Sequence, residues 1–404
     1  MITGLDGVER SLEEALLVVA KRVANVQGGS PSIGMDKFSG GGVGTLITGR
    51  PEAAAQGLAA YLKVDEFDLF EKLNRGVKAI RDEFERDGTD EDVECLHYVL
   101  HERAGSNKKR FPNGTRDEGR KGEVLKDFVN HPYSKRAGLR EAHVLALRLC
   151  ALRLGRAAAH MATADYAMPT ESAAPACSTH VVACRLSTSA AAWQPAAKLP
   201  QSCPTPPAHG RVASCHRYTT AAYKSLNTPL RDMKRVDPHP MAATIFFLTD
   251  GIRRLRTIAA DAQAEQAEAM KQVKQMKGLS HLSTKGKATN LWRGMRNMGT
   301  TNEFETEGGA ECAPMSTTPD MAIAITYGAS KSSLLFKILC SSFMNMGADI
   351  SYLSAFPNEK EILFPPLTYL RPTGRVETVR LDVGAIYDAS PAMAFTVVEV
   401  EPQM

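Results

Sequence analysis

The chain has 404 residues, a formal net charge of +4 and an ordinary apolar share of 43%. That length accommodates two or three domains, or one domain with additions, and the apolar content supports a sizeable core. The near-neutral balance offers no clustered Lys/Arg footprint for nucleic acid, and no apolar run reaches the length of a membrane span.

The first segment, Met1 to Val26, carries Asp6, Glu9, Glu13 and Glu14. A secretory leader would instead have a basic start and a small-residue cleavage site, so the segment reads as a helix of a cytoplasmic protein, with Ser11-x-x-Glu14 as its cap. Residues 27–50 are rich in Gly and Ser. Gly40-Gly-Gly-Val-Gly44 lacks the following Gly-Lys-Ser/Thr of a phosphate loop and reads as linker.

From 64 to 86, Phe67, Phe70, Leu73, Val77, Ile80 and Phe84 recur at steps of three and four, which predicts one amphipathic helix. A second helix is expected over 90–102, with Val93, Leu96 and Leu100 on one face. His97 and His101 on that helix have the spacing of metal ligands but no third ligand nearby, and a surface pair is the simpler account. The polar stretch 104–122 reads as loop, and Lys126 to Leu149 resumes helical character.

Residues 150–217 differ from their surroundings: they are loaded with Ala, Ser, Thr, Pro, Cys and His and hold no sustained period. Such a segment cannot bury enough apolar surface to offset its ordering entropy, so it reads as a disordered insertion. It contains five of the eight cysteines if Cys150 is counted, and their spacing fits neither a zinc pair nor a compact disulfide framework. Reduced thiols and no metal are expected.

Past 218, Leu226 to Arg231 reads as a helix end and turn, and Met241 to Met276 as a helix. The texture then changes to short apolar runs at Thr289–Met295, Met321–Tyr327, Ser333–Leu339, Ile362–Phe364, Thr368–Leu370, Val376–Leu381 and Phe395–Val400, separated by Gly, Asn, Pro and Asp. That is a strand-and-turn pattern. The expected fold class is α+β, with a helical N-terminal half and a β-rich C-terminal half.

Three elements carry chemistry. The first is Leu291-Trp-Arg293-Gly294-Met-Arg296; the second is Gly308-Gly-Ala-Glu-Cys-Ala-Pro-Met-Ser316-Thr317-Thr318-Pro-Asp320. The third is Ile350-Ser-Tyr-Leu-Ser-Ala-Phe-Pro-Asn-Glu359-Lys-Glu361-Ile-Leu-Phe-Pro-Pro366. If Glu359 to Phe364 is a strand, Glu359 and Glu361 share a face and Lys360 takes the other. Paired acids suit chemistry at a sugar C1 carbon, where positive charge develops. An isolated E-x-E is more simply an exposed strand edge, and the two upstream elements are what weigh against that.

The order Arg, Ser, E-x-E resembles the arginine-specific mono-ADP-ribosyltransferases. The resemblance covers about 218–400 and extends to the helices from about 64 to 149. It implies a split, mostly antiparallel β-sheet core that clamps NAD, against which the N-terminal helices pack. It also implies that Arg293 contacts the NAD phosphates and ribose, that Gly294 lets backbone approach the cofactor, and that Ser316, with Thr317 beside it, lies at the NAD site. By the same resemblance, the Ser316 hydroxyl orients Glu361. Glu361 holds the nicotinamide-ribose 2′-hydroxyl and stabilises an oxocarbenium ion, while Glu359 binds the acceptor guanidinium and helps remove its proton.

The expected domains are 1–62 (helix and linker), 63–149 (helical part of the transferase), 150–217 (insertion) and 218–404 (catalytic core). The partners are NAD as substrate and an arginine-bearing target protein. Two other readings use the same residues: an NAD glycohydrolase with water as acceptor, and a non-catalytic NAD-binding or interaction protein. Glu303, Glu305, Glu307 and Glu311 read as one acidic loop, and Tyr352 and Phe356 as either stacking or core aromatics.

Overall fold

The computed structural model describes residues 57–104, 117, 120, 122–150, 221–258, 289–328, 330, 332–381 and 393–404, with the strand backbone of Ile2–Thr3, Glu9–Arg10 and Gly44–Thr45. Ile2–Thr3 pairs antiparallel with Glu9–Arg10, where the sequence reading placed a helix. The rest of that helix, most of the Gly-rich linker, the insertion from 151 onward and the helix after 258 lie outside the described residues.

In the helical half, α1 is Leu58–Leu62, α2 Glu66–Arg75, α3 Val77–Asp87 and α4 Asp90–His101. The single helix expected over 64–86 is therefore two. Gly76 breaks it at φ 58°, a left-handed backbone that glycine adopts without strain. The turn leaves Leu69, Ile80 and Phe84 buried but puts Phe67 and Phe70 in solvent, 68% and 61% exposed. Asp65 caps α2 by accepting from Phe67 N at 2.9 Å, and a Thr89/Asp92 capping box opens α4.

The region 126–149 also divides, into α5 Leu125–Asn130, α6 Pro132–Arg136 and α7 Glu141–Cys150. Pro132 sits in the first turn of α6, where its missing N–H costs no helical bond. After α8, Ala221–Arg231, which accommodates Pro229 in its last turn, α9 runs over 242–258. Glu83 of α3 caps α9, accepting from Ala243 N at 2.8 Å and from Thr244 N at 3.0 Å.

The strands are β1 Thr289–Arg296, β2 Met298–Gly299, β3 Gly309–Glu311, β4 Met315–Thr317, β5 Ser332–Cys340, β6 Ala348–Asp349, β7 Ile362–Phe364, β8 Thr368–Leu381 and β9 Met393–Gln403. Five form a mixed sheet in the order β1-β5-β9-β8-β3; β5 and β9 are parallel and the other three pairings antiparallel. β4-β7-β6 forms a second, antiparallel sheet. A bridge between Trp292 and Thr318 joins the two, with N···O distances of 2.8 and 3.0 Å. The fold is α+β.

Met321–Gly328, expected as a strand, is a helix, α11. Its alternating Ala and Ile suit either state, and Asp320 decides: its carboxylate accepts from Ala322 N at 2.9 Å and opens a helix. Asn302–Glu307 forms a short helix, α10.

The small sheet lies between two cores. Leu363 and Ala348 pack with the helices, whereas Met315, Ile362 and Phe364 pack with the large sheet. This alternation along β7 assigns each neighbouring residue to a face.

Candidate functional site

The strand carrying the E-x-E pair is shorter than expected. It begins at Ile362; Glu359 ends a 3-10 turn, Pro357–Glu359, and Lys360 adopts a left-handed φ of 48°. The period-two argument therefore fails across the pair, and Glu359 and Glu361 have separate surroundings. Glu361 is fully buried and Glu359 half-buried.

Glu361 receives a hydrogen bond on Oε2 from Ser354 Oγ at 2.9 Å. The same hydroxyl accepts from Phe356 N at 3.2 Å, which closes a tight turn ahead of the acid. Ser316, expected to be the orienting hydroxyl, pairs with Leu363 in the β4–β7 register. That places it on the Leu363 side of the small sheet, diagonal to Glu361. Ser316 Oγ is buried and has no hydrogen-bond partner among the described residues. Thr317 pairs with Ile362 and belongs to the opposite face, and its hydroxyl donates to Ile362 O at 2.8 Å.

Arg293, 8% exposed, reaches from β1 to Ser316 O (Nη1, 3.2 Å) and to Glu311 (Nη2, 3.4 Å). Glu311 also accepts from Arg231 Nε at 3.0 Å, and Arg231 Nη1 donates to Tyr223 Oη at 3.4 Å. Glu311 is thus a buried bridge between two guanidinium groups, and the other three acids of the expected loop lie on α10. Burial pushes the Arg293 pKa down, with Glu311 opposing; for Arg231, Glu311 and Tyr223 outweigh burial and push it up. Arg293 Nε is buried without a hydrogen-bond partner among the described residues. Buried polar atoms are normally satisfied, so Ser316 Oγ and Arg293 Nε fit a site that a polar ligand completes.

Gly294 is required by packing within the protein. A Cβ there would lie 1.8 Å from Ala324 O and 2.9 Å from Gly328 N, so the close approach is of α11 onto β1. The far end of α11 reaches the other acid: Tyr327 Oη donates to Glu359 Oε1. Thr318 Oγ1 holds the Glu359 carbonyl at 2.9 Å.

The helical half holds the loop ahead of Glu361. Arg148, on the last turn of α7, donates to Leu353 O at 3.0 Å and to both Asp117 carboxylate oxygens at 3.1 Å, and lies 3.8 Å over the Phe128 ring. Asp117 also accepts from Tyr98 Oη at 3.0 Å, and its N–H bonds Ala355 O at 2.7 Å. Arg120 donates to Ser351 O and Ser354 O. Tyr352 stacks on His131, 4.4 Å between ring centres, and Phe356 is buried. Cys150 closes α7 inside the protein; burial and the charge of Glu361 push its thiol pKa up.

Ser354, Tyr327 and the Asp117–Arg148 pair had no assigned role in the sequence reading, and Glu311 was read only as part of an acidic loop. Ser354 was in view as part of Ser-Ala-Phe-Pro, but nothing local ties a hydroxyl to an acid seven residues on. His97 and His101 face each other at 4.9 Å, and no metal-binding cluster occurs among the described residues. No helix there is long and apolar enough to cross a membrane.

No family model matches the chain, and no curated protein matches it. Among solved structures it is similar to the ADP-ribosyltransferase HopU1 of Pseudomonas syringae pv. Tomato DC3000, at 18% identity and TM-score 0.27, over 45% of this chain and 65% of that one. It is similar to Plx2a, an ADP-ribosyltransferase toxin from Paenibacillus larvae, at 14% identity and TM-score 0.28, over 45% of this chain and 80% of that one. The type III effector XopAI from Xanthomonas axonopodis pv. citri aligns over 84% of this chain and 100% of its own truncated form, at 13% identity and TM-score 0.29.

Proposed function

We propose that the chain transfers ADP-ribose from NAD to arginine side chains of a target protein. The observation that carries this reading is the adjacency of three distant segments: β1 with Arg293 bridges to the segment carrying Ser316, and β4 pairs with the strand that Glu361 precedes. Arg293 binds the NAD phosphates, a task its planar fork suits. Glu361, held by Ser354, accepts from the nicotinamide-ribose 2′-hydroxyl and faces the positive charge that develops at C1′.

The bond from C1′ to the pyridinium nitrogen breaks and its electron pair leaves with neutral nicotinamide. The acceptor guanidinium gives up a proton towards Glu359, and the nitrogen lone pair so exposed forms the new bond to C1′. NAD and arginine become ADP-ribosyl-arginine, nicotinamide and a proton, which balances charge.

Incubation with NAD and agmatine, followed by separate measurement of the adduct and free ADP-ribose, tests this. The adduct is expected; free ADP-ribose alone would mark a glycohydrolase, and neither product would mark a non-catalytic protein. Glu361→Gln is expected to abolish both products, whereas Glu359→Gln loses most of the adduct, leaving a measurable residue, and retains hydrolysis. Equal behaviour of the two variants refutes the division of roles.

A further inference from the structure

The two acids of the E-x-E pair rest on different parts of the fold. Glu361 is held by Ser354, in a loop tied to the helical half through Arg148 and Arg120. Glu359 is held at both ends from the other side. Its carbonyl accepts from Thr318 Oγ1 at 2.9 Å, beside β4, and its carboxylate accepts from Tyr327 Oη of α11. Tyr327 is itself fixed. It is buried, and its carbonyl accepts from Arg296 Nε at 2.7 Å. The next residue, Gly328, packs so tightly on β1 that a Cβ there would lie 3.3 Å from the Gly294 Cα.

We infer that Tyr327 is a specificity-determining positioning residue: its phenol fixes the Glu359 carboxylate for a cationic acceptor. This rests on the transferase reading above. A phenol donating to a carboxylate makes a short, charge-assisted hydrogen bond. A donor seated on a packed helix end needs no reorganisation as the acceptor arrives. Tyr327 acts through Glu359, so its effect belongs to the acceptor step and not to departure of nicotinamide.

The test is a double-mutant cycle on the full chain with NAD and agmatine, comparing wild type, Tyr327→Phe, Glu359→Gln and the double variant. Adduct and free ADP-ribose are measured separately. Tyr327→Phe is expected to lower the adduct-to-hydrolysis ratio by about ten- to a hundredfold, the range for losing one such bond, and to raise the KM for agmatine but not for NAD. In the Glu359→Gln background the same change should have no further effect on the ratio, because the carboxylate it positions is gone. A purely structural role would lower both products together and add to the Glu359→Gln loss.

A ratio within about twofold of wild type, or an undiminished effect in the Glu359→Gln background, overturns the inference and leaves the transferase reading standing. Absence of both products from the wild type overturns the two together.

Discussion

Arg148→Ala removes one side chain and strikes both stability and the site. The guanidinium makes two bonds to Asp117 at 3.1 Å, one to Leu353 O at 3.0 Å, and a contact over Phe128 at 3.8 Å, all in the interior. Truncating one partner of a buried ion pair costs about 3–5 kcal/mol, because the other charge stays buried with less compensation. Asp117 keeps Tyr98 Oη at 3.0 Å and Arg120 at 3.5 Å, which places the expected loss near the lower end. At about 2–4 °C per kcal/mol for a domain of 150–250 residues, Tm falls by roughly 6–12 °C. Thermal melting reads this directly. Replacing both partners, as Asp117→Asn with Arg148→Met, should recover part of the loss, since no bare charge then remains. Turnover below the melting range should also fall, because Leu353 precedes the serine that holds Glu361. A Tm shift under about 2 °C for Arg148→Ala would refute the claim that this pair supports the loop.

Other perturbations separate the remaining parts. Gly294→Ala puts a Cβ 1.8 Å from Ala324 O, so α11 must shift on β1. The expected cost is about 3 kcal/mol, read as a lower denaturant midpoint; a midpoint equal to wild type contradicts the packing. Ser354→Ala removes the donor to Glu361 and should lower kcat for nicotinamide release by about ten- to a hundredfold, with Ser354→Thr recovering part. Equal rates for Ala and wild type would remove Ser354 from the site. His239 is buried, with Nδ1 accepting from Met241 N at 3.0 Å, and burial lowers its pKa from 6.5 to about 4. A folded pKa below the unfolded one means that the unfolded chain binds the proton first. Stability is therefore unaffected above about pH 6.5 and falls as pH drops towards 4, by about 3 kcal/mol at pH 4. Unfolding curves of His239→Gln should lack that share of the slope, and an unchanged slope would count against it.

What could be read from sequence follows the range of the physics involved. Strands such as β5 and β7 announce themselves as apolar runs between turn residues, and α4 through Val93, Leu96 and Leu100 on one face. Readings failed where one residue outweighed a pattern. Gly76 splits a periodic stretch that continues in register on paper. Asp320 turns Ala-Ile alternation into helix α11. Thr368–Leu370 and Val376–Leu381 belong to one strand, β8, because the chain carries Pro372 and Gly374 through a register irregularity instead of turning. Lys360, in a left-handed conformation, separates two acids that spacing alone would put on one face.

The site divides along the same line. The order Arg293, Ser316, Glu359 and Glu361, through the resemblance it carries, singles these four out as candidates. What supports them could not be read, because Arg148 meets Leu353 across 205 residues and Tyr327 meets Glu359 across 32, and no local pattern encodes either meeting. Those supports separate the two acids. A lesion in the α7 clamp loosens the loop of Glu361 and should slow nicotinamide release, and with it every product. A lesion in α11 loosens Glu359 and should change only where the ADP-ribose goes. Two carboxylates two residues apart in sequence can thus be perturbed independently, because one is anchored to the helical half and the other to the end of α11.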